Sequence, residues 1–100
     1  DVFVNTALID MYAKCGSLDF ARIIFDRTLQ KDVVVWSAMI VGYGLHGQGR
    51  EAIDLYHAMK QAGVCPNDVT FVGLLMACNH SGLVEEGWEL FHRHRTVICR

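Results

Sequence analysis

Three groups of residues in this chain have types and spacings that could do chemistry. Gly42, Gly44 and Gly47 in GYGLHG satisfy G-x-G-x-x-G, behind an apolar run from Val33 to Val41 and ahead of a helical stretch, with Asp68 downstream. In a strand-to-helix turn such glycines bring backbone amides against a pyrophosphate, and the acid reaches a ribose. Cys78 with His80, and His92 with His94, offer soft and borderline metal ligands. Glu85 and Glu86 offer a carboxylate pair.

None of the three completes a site. Structural zinc wants four ligands in closely spaced pairs, and neither the Cys78–His80 nor the His92–His94 pair has an obvious second pair, so no metal or other cofactor is expected. A zinc deaminase needs H-x-E and P-C-x-x-C to hold the ion, its water and a general acid/base, and no histidine here is followed two residues later by Glu. Adjacent glutamates on a helix point in different directions, which suits a solvated face near a helix start better than paired acid/base work. The glycine trio has to be judged by the element around it.

That element recurs. A shift of 31 residues carries Ile9 to Ile40, Tyr12 to Tyr43, Gly16 to Gly47, Ala21 to Ala52 and Phe25 to Tyr56. A further shift of 35 carries the second set to Leu75, Cys78, Gly82, Gly87 and Phe91. A period in the thirties means one supersecondary unit used several times, each burying its apolar face on its neighbour. The expected repeats are 2–32, 33–67 and an incomplete 68–100, together one helical-repeat domain over 1–100. The counterparts of the apolar run before GYGLHG read VFVNTALID and VTFVGLLMA, and the trio is matched only at Gly16 and Gly82. A nucleotide fingerprint would not be built into a repeated unit in that way.

Within each copy, apolar residues at i, i+3, i+4 and i+7 run on both sides of a glycine, as in Leu8, Ile9 and Tyr12 before Gly16 and Leu18, Ala21, Ile24 and Phe25 after it. The spacing predicts helices over 2–14, 18–29, 33–46, 50–62, 68–80 and 83–95. The fold class is all-α, a solenoid of antiparallel helical hairpins, with A the first and B the second helix of each. Gly16, Gly47 and Gly82 suit the left-handed residue after a helix, and Asp1, Asp32 and Asp68 suit N-caps. Ala21, Ala52 and Gly87 let A and B approach, with Phe25, Tyr56 and Phe91 filling the space beside them.

Composition agrees with ordered, packed structure: 52% of the residues are hydrophobic and one is proline. No apolar run approaches the length of a membrane span, so a soluble chain without a membrane partner is expected. A net charge of −2 argues against a strong nonspecific hold on nucleic acid, which grows with the phosphates neutralised. The four cysteines form no C-x-x-C pair, and reduced thiols in an intracellular or organellar compartment are expected.

The residues that survive the shifts, with LIDMYAKCGSLDFARIIFD, SAMIVGYGLHGQGREAIDLYHAMKQAGVCPN and DVTFVGLLMACNHSGLVEEGWELF, closely resemble pentatricopeptide repeats. The unequal repeat lengths look like the plant subclass that alternates short, standard and long repeats. The resemblance covers nearly the whole chain and leaves out Thr96 to Arg100. It implies an α-solenoid that binds single-stranded RNA, about one base per repeat, in a mitochondrion or chloroplast. It also implies a role in RNA editing or processing, with no catalysis in this segment, other editing or processing factors as further partners, and no cofactor.

In that family a polar residue on the first turn of helix A and the last residue of the repeat read a base edge, and an apolar residue near the start of A stacks on the base. Carried over, the readers are Thr6 with Asp32, resembling a guanine reader, and Ser37 with Asn67, resembling an adenine reader. The stacking residues are Phe3, Val34 and Val69. Val72 takes the reader's place in the third repeat, where no base choice is expected. Two alternatives stay open on the residues themselves. First-turn hydroxyls also serve backbone groups, and a helical-repeat array can be a protein-binding scaffold.

Overall fold

The computed structural model describes residues 2–96, with side chains up to residue 93. Six helices follow in order, α1 (Val2–Lys14), α2 (Leu18–Arg27), α3 (Val33–Leu45), α4 (Gly49–Gln61), α5 (Asp68–Ser81) and α6 (Val84–Thr96). Among the described residues there is no strand.

The turn inside each hairpin follows from its glycine. Gly16, Gly47 and Gly82 take φ of 85°, 68° and 79°, a region open to glycine without the Cβ penalty. With the backbone so turned, the next amide reaches back over the helix end: Ser17 N–H to Tyr12 O at 2.8 Å, Gln48 N–H to Tyr43 O at 2.9 Å and Leu83 N–H to Cys78 O at 2.8 Å. The three hairpins thus share one C-terminal capping motif. The helix starts are less uniform. Asp32 caps α3, its Oδ1 accepting from Val35 N–H at 3.0 Å. For α5 the cap is Asn67, and Asp68, expected in that role, is the first helical residue. Asp1 lies outside the described residues. α2 stops at Arg27, two residues short of expectation, because Thr28 turns extended while its hydroxyl closes on Ile24 O at 2.7 Å.

α1, α3 and α5 lie side by side as one layer. α2 packs on α1 and α3, α4 on α3 and α5, and α6 on α5, forming the second layer. This explains the composition of the two helix types. An A helix has protein on several sides, so α3 reads VVVWSAMIVGYGL and is apolar nearly all round. A B helix has one buried stripe, so α4 reads GREAIDLYHAMKQ, with Ala52, Ile53, Leu55, Tyr56 and Met59 buried and Arg50, Asp54, His57 and Lys60 exposed.

Close approach within the A layer depends on small residues. A Cβ on Gly42 would stand 2.8 Å from Ala13 Cβ, one on Gly44 2.6 Å from Gly73 O, and one on Gly73 2.9 Å from the Val41 backbone. Two glycines of GYGLHG are therefore packing residues in the last turns of a helix, and the third forms the turn after it. The strand that a dinucleotide fingerprint needs is a helix here. Ala21 and Ala52 are wholly buried where A meets B, and a Cβ on Gly87 would come 2.9 Å from Cys78 Cβ.

Between hairpins the joint is aromatic. Phe25 of α2 meets Trp36 of α3 edge-on with centroids 5.0 Å apart, and Tyr56 of α4 meets Phe71 of α5 in the same way at 5.4 Å. Such pairs contribute about 0.5–1.5 kcal/mol beyond the area they bury. Polar ties reinforce the joint. Arg22 Nη1 donates to Tyr43 Oη at 3.0 Å, and His46 Nε2 lies 2.5 Å from Ala13 O at the end of α1. Cys15 and Cys78 are free thiols.

Candidate nucleic-acid interface

The open side of the A layer carries an unusual row. Phe3, Val34 and Val69 hold the same position in α1, α3 and α5 and are 83%, 54% and 55% exposed. Burial would favour each of them by about 1.5–3 kcal/mol, so three apolar side chains held outward at one repeated position mark a surface built to be covered. Each sits at the start of a helix whose interior positions do the packing, which is why the fold leaves it outside.

Beside this row runs a groove of about 340 Å³ lined by Thr6, Asp10, Lys14, Val34, Ser37, Ala38, Val41, Asn67 and Val69. It draws on α1, α3 and the start of α5. Five of the seven residues singled out from the sequence line it: Thr6, Val34, Ser37, Asn67 and Val69. Phe3 and Asp32 do not. Both are exposed, and Asp32 has its Oδ1 committed to the α3 cap.

Thr6, Ser37 and Asn67 are held rather than loose. Thr6 Oγ1 donates to Val2 O at 2.7 Å, the use of a first-turn hydroxyl that competes with base reading, and leaves its lone pairs. Ser37 is 2% exposed, and its Oγ lies 2.6 Å from the Oγ1 of buried Thr70. Asn67 Oδ1 accepts from both Thr70 N and Thr70 Oγ1 at 3.1 Å, and Asn67 N–H donates back to Thr70 Oγ1 at 3.1 Å. Thr70 was not among the expected site residues. Its place three residues after Asn67 is the signal that could have found it, since a capping box pairs those two positions.

The other candidate chemistries are placed differently. Cys78 is 1% exposed beneath Gly87, and burial, with Glu86 adding to it, pushes its thiol up and away from the thiolate that metals and electrophiles require. His92 lies edge-on to Trp88 with centroids 4.4 Å apart, and the side chain of His94 lies outside the described residues. Glu86 pairs with Arg50 of the preceding hairpin at 3.0 Å, while Glu85 lines a separate apolar groove of about 310 Å³ with Leu75, Val84 and Trp88. Among the described residues no three His, Cys, Asp or Glu side chains converge as metal ligands would. None of their helices is long and apolar enough to cross a membrane.

Stacked two-helix hairpins with a repeated open face define an α-solenoid repeat protein. Comparison of the sequence agrees and is more specific. Residues 31–80 match the PPR repeat family, and residues 6–33 and 69–93 each match the PPR repeat. The chain belongs to the pentatricopeptide repeat family. It is 75% identical over 71% of its length to a pentatricopeptide repeat-containing protein of Arabidopsis thaliana, of which it covers 10%. It is 52% identical over 98% of its length to the A. thaliana protein DOT4, named chloroplastic, and 57% identical over 94% to one named mitochondrial, covering 12% of each. The chain thus spans about an eighth or less of the length of these relatives. Proteins of this family are generally organellar RNA-binding factors without catalysis of their own.

Proposed function

We propose that this chain is a sequence-selective single-stranded RNA-binding segment of an organellar editing or processing factor, with no catalysis in the segment. The observation that carries the reading is the row Phe3, Val34 and Val69, outward at one position of three successive A helices beside a groove lined by Thr6, Ser37 and Asn67. Single-stranded RNA is specified in this manner, with unstacked bases held by apolar side chains and hydrogen-bonded on their edges. In the proposal Ser37 with Asn67 reads adenine, Thr6 with Asp32 reads guanine, and Phe3, Val34 and Val69 stack.

The repeats are taken as 2–32, 33–67 and 68–100, and their unequal lengths support the plant subclass of alternating repeat lengths. Similarity to relatives named chloroplastic and mitochondrial supports an organelle as the compartment. Other editing or processing factors complete the proposed partners.

The test exchanges the amide of Asn67 for a carboxylate. In Asn67→Asp one oxygen still caps α5, and the other offers the base an acceptor in place of an N–H donor. In the intact protein that carries this chain, selection from a randomised single-stranded RNA pool should show the base facing the second repeat moving from adenine toward guanine. The shift should be that of one hydrogen bond, about 0.5–1.5 kcal/mol or a few-fold, with the other positions unchanged. An unaltered ranking would reduce Asn67 to a helix cap and favour the protein-scaffold reading.

A further inference from the structure

Ser37 in α3 and Asn67 at the cap of α5 share no direct hydrogen bond, yet both bond to one hydroxyl. Thr70 is wholly buried, and its Oγ1 lies 2.6 Å from Ser37 Oγ and 3.1 Å from both Asn67 N and Asn67 Oδ1. Thr70 N–H donates to Asn67 Oδ1, so the amide oxygen is the atom turned toward Thr70. The hydroxyl of Thr70 has one proton, and both Asn67 Oδ1 and Ser37 Oγ could take it.

If Ser37 took it, Thr70 Oγ1 and Asn67 Oδ1 would face each other at 3.1 Å as two acceptors with no proton between them. Two acceptors at that distance repel, whereas donation from Ser37 puts a proton in each of these contacts. The chain of donation therefore runs from Ser37 to Thr70 to Asn67. Thr70 Oγ1 is then saturated, with two protons accepted from Ser37 Oγ and Asn67 N and one donated.

We infer that Thr70 is a positioning residue for base selection at the second repeat, its hydroxyl making Ser37 an acceptor and Asn67 a donor toward the groove. The inference rests on the base-reading proposal and deepens it. With its proton committed, Ser37 Oγ offers lone pairs only. With its Oδ1 committed, Asn67 offers the two N–H bonds of Nδ2. A base edge that answers both has an exocyclic amine beside an unprotonated ring nitrogen, as adenine does with N6 and N1, and cytosine with N4 and N3. Guanine and uracil present a carbonyl beside a ring N–H, the reverse order along the same backbone track. The class selected is thus an amino base over a keto base, and the stacking surface of Val34 and Val69 then favours the larger ring.

The chain contains its own control. Val35 stands in the second hairpin where Thr70 stands in the third, three residues after the capping Asp32, and is equally buried with its N–H on the cap oxygen. Thr70→Val therefore places at α5 a side chain that the fold already accepts at α3. It removes the bridge while keeping the backbone bond to Asn67 Oδ1, and releases the Ser37 proton to donate to a keto base.

The experiment is selection from a randomised single-stranded RNA pool by the intact protein that carries this chain, read as base enrichment at each position. Thr70→Val should reduce the amino-over-keto preference at the second repeat by about two- to twelve-fold, one hydrogen bond's worth, and leave the other positions as internal references. Thr70→Ser should restore it. A merely structural role would lower the RNA bound at every position together and would not move that ratio. Ser37→Ala and Asn67→Ala are run alongside. If they flatten the preference and Thr70→Val does not, the Thr70 inference is overturned and base reading stands; failure of Thr70→Ser to restore the preference overturns it in the same way. If Ser37→Ala and Asn67→Ala change nothing, base reading fails and the inference goes with it.

Discussion

At the residue scale Asn67 serves the fold with one end of its amide and the groove with the other. Its Oδ1 belongs to the α5 cap, accepting from Thr70 N and Oγ1, and an N-cap of this kind contributes about 0.5–2 kcal/mol. A substitution can therefore damage binding for either reason, and the two must be measured apart. Asn67→Ala should lower unfolding free energy by that amount in urea titration, whereas Asn67→Asp, which keeps an oxygen at the cap and puts negative charge at a helix start, should stay close to the parent. Equal losses from the two variants would show that the side-chain oxygen contributes nothing to the cap. The contrast matters because it makes Asn67→Asp a clean probe of base choice: its effect on RNA cannot then be traced to a frayed α5.

Close contact between backbones decides the behaviour at the scale of the element. α3 is held on one side by Gly42 against Ala13, and on the other by Gly44 and Gly73 against the backbone and Met76. The second contact is the less forgiving, since a methyl on Gly44 would meet a carbonyl oxygen at 2.6 Å and neither backbone can swing aside. Where A meets B within the second hairpin, Ala52 is wholly buried. Gly44→Ala and Ala52→Leu should each destabilise by about 1–3 kcal/mol through overpacking, with helical circular dichroism retained in the folded state. A variant that melts like the parent would mean the helices separate there at no cost. Of the two, Gly44→Ala should also weaken RNA binding, because it alters the spacing of the A helices that carry Val34 and Val69.

On the scale of the whole molecule the decisive quantity is charge. The chain carries a net charge of −2, and Lys14 is the one Lys or Arg among the groove's lining residues. Binding that depends on base contacts rather than phosphate neutralisation should vary little with salt. For single strands each neutralised phosphate contributes about −0.7 to the slope of log K against log salt. Lys14→Ala should make the slope shallower by about that amount and leave the base ranking intact. An unchanged slope would show Lys14 to be an ordinary solvated lysine. The outward groove of Leu75, Val84 and Trp88 on the third hairpin has no part in this balance. It is the surface on which, in a stacked array, another hairpin would lie.

Read alone, the sequence determined the helices, because period, glycine and cap are local signals: left-handed φ at Gly16, Gly47 and Gly82 follows from residue type, and the alternation of apolar residues sets the buried stripe. It also determined the stacking of hairpins, since a unit repeated every 31 or 35 residues with an unsatisfied apolar face has to bury it on its neighbour. The candidate readers came from resemblance to a family, and nothing in the spacing of Thr6, Ser37 and Asn67 by itself marks them off from hydroxyls and amides that serve the backbone.

Tertiary structure alone decided the rest. Ser37 and Thr70 are 33 residues apart and meet at 2.6 Å only because α3 and α5 close on each other through Gly44 and Gly73. The capping role moved from Asp68 to Asn67. The direction of the hydrogen bonds running through Thr70 depends on Asn67 Oδ1, an acceptor that the α5 cap holds 3.1 Å from the Thr70 hydroxyl. Burial and long-range distance are properties of the packed layers, and a linear sequence has no term for either.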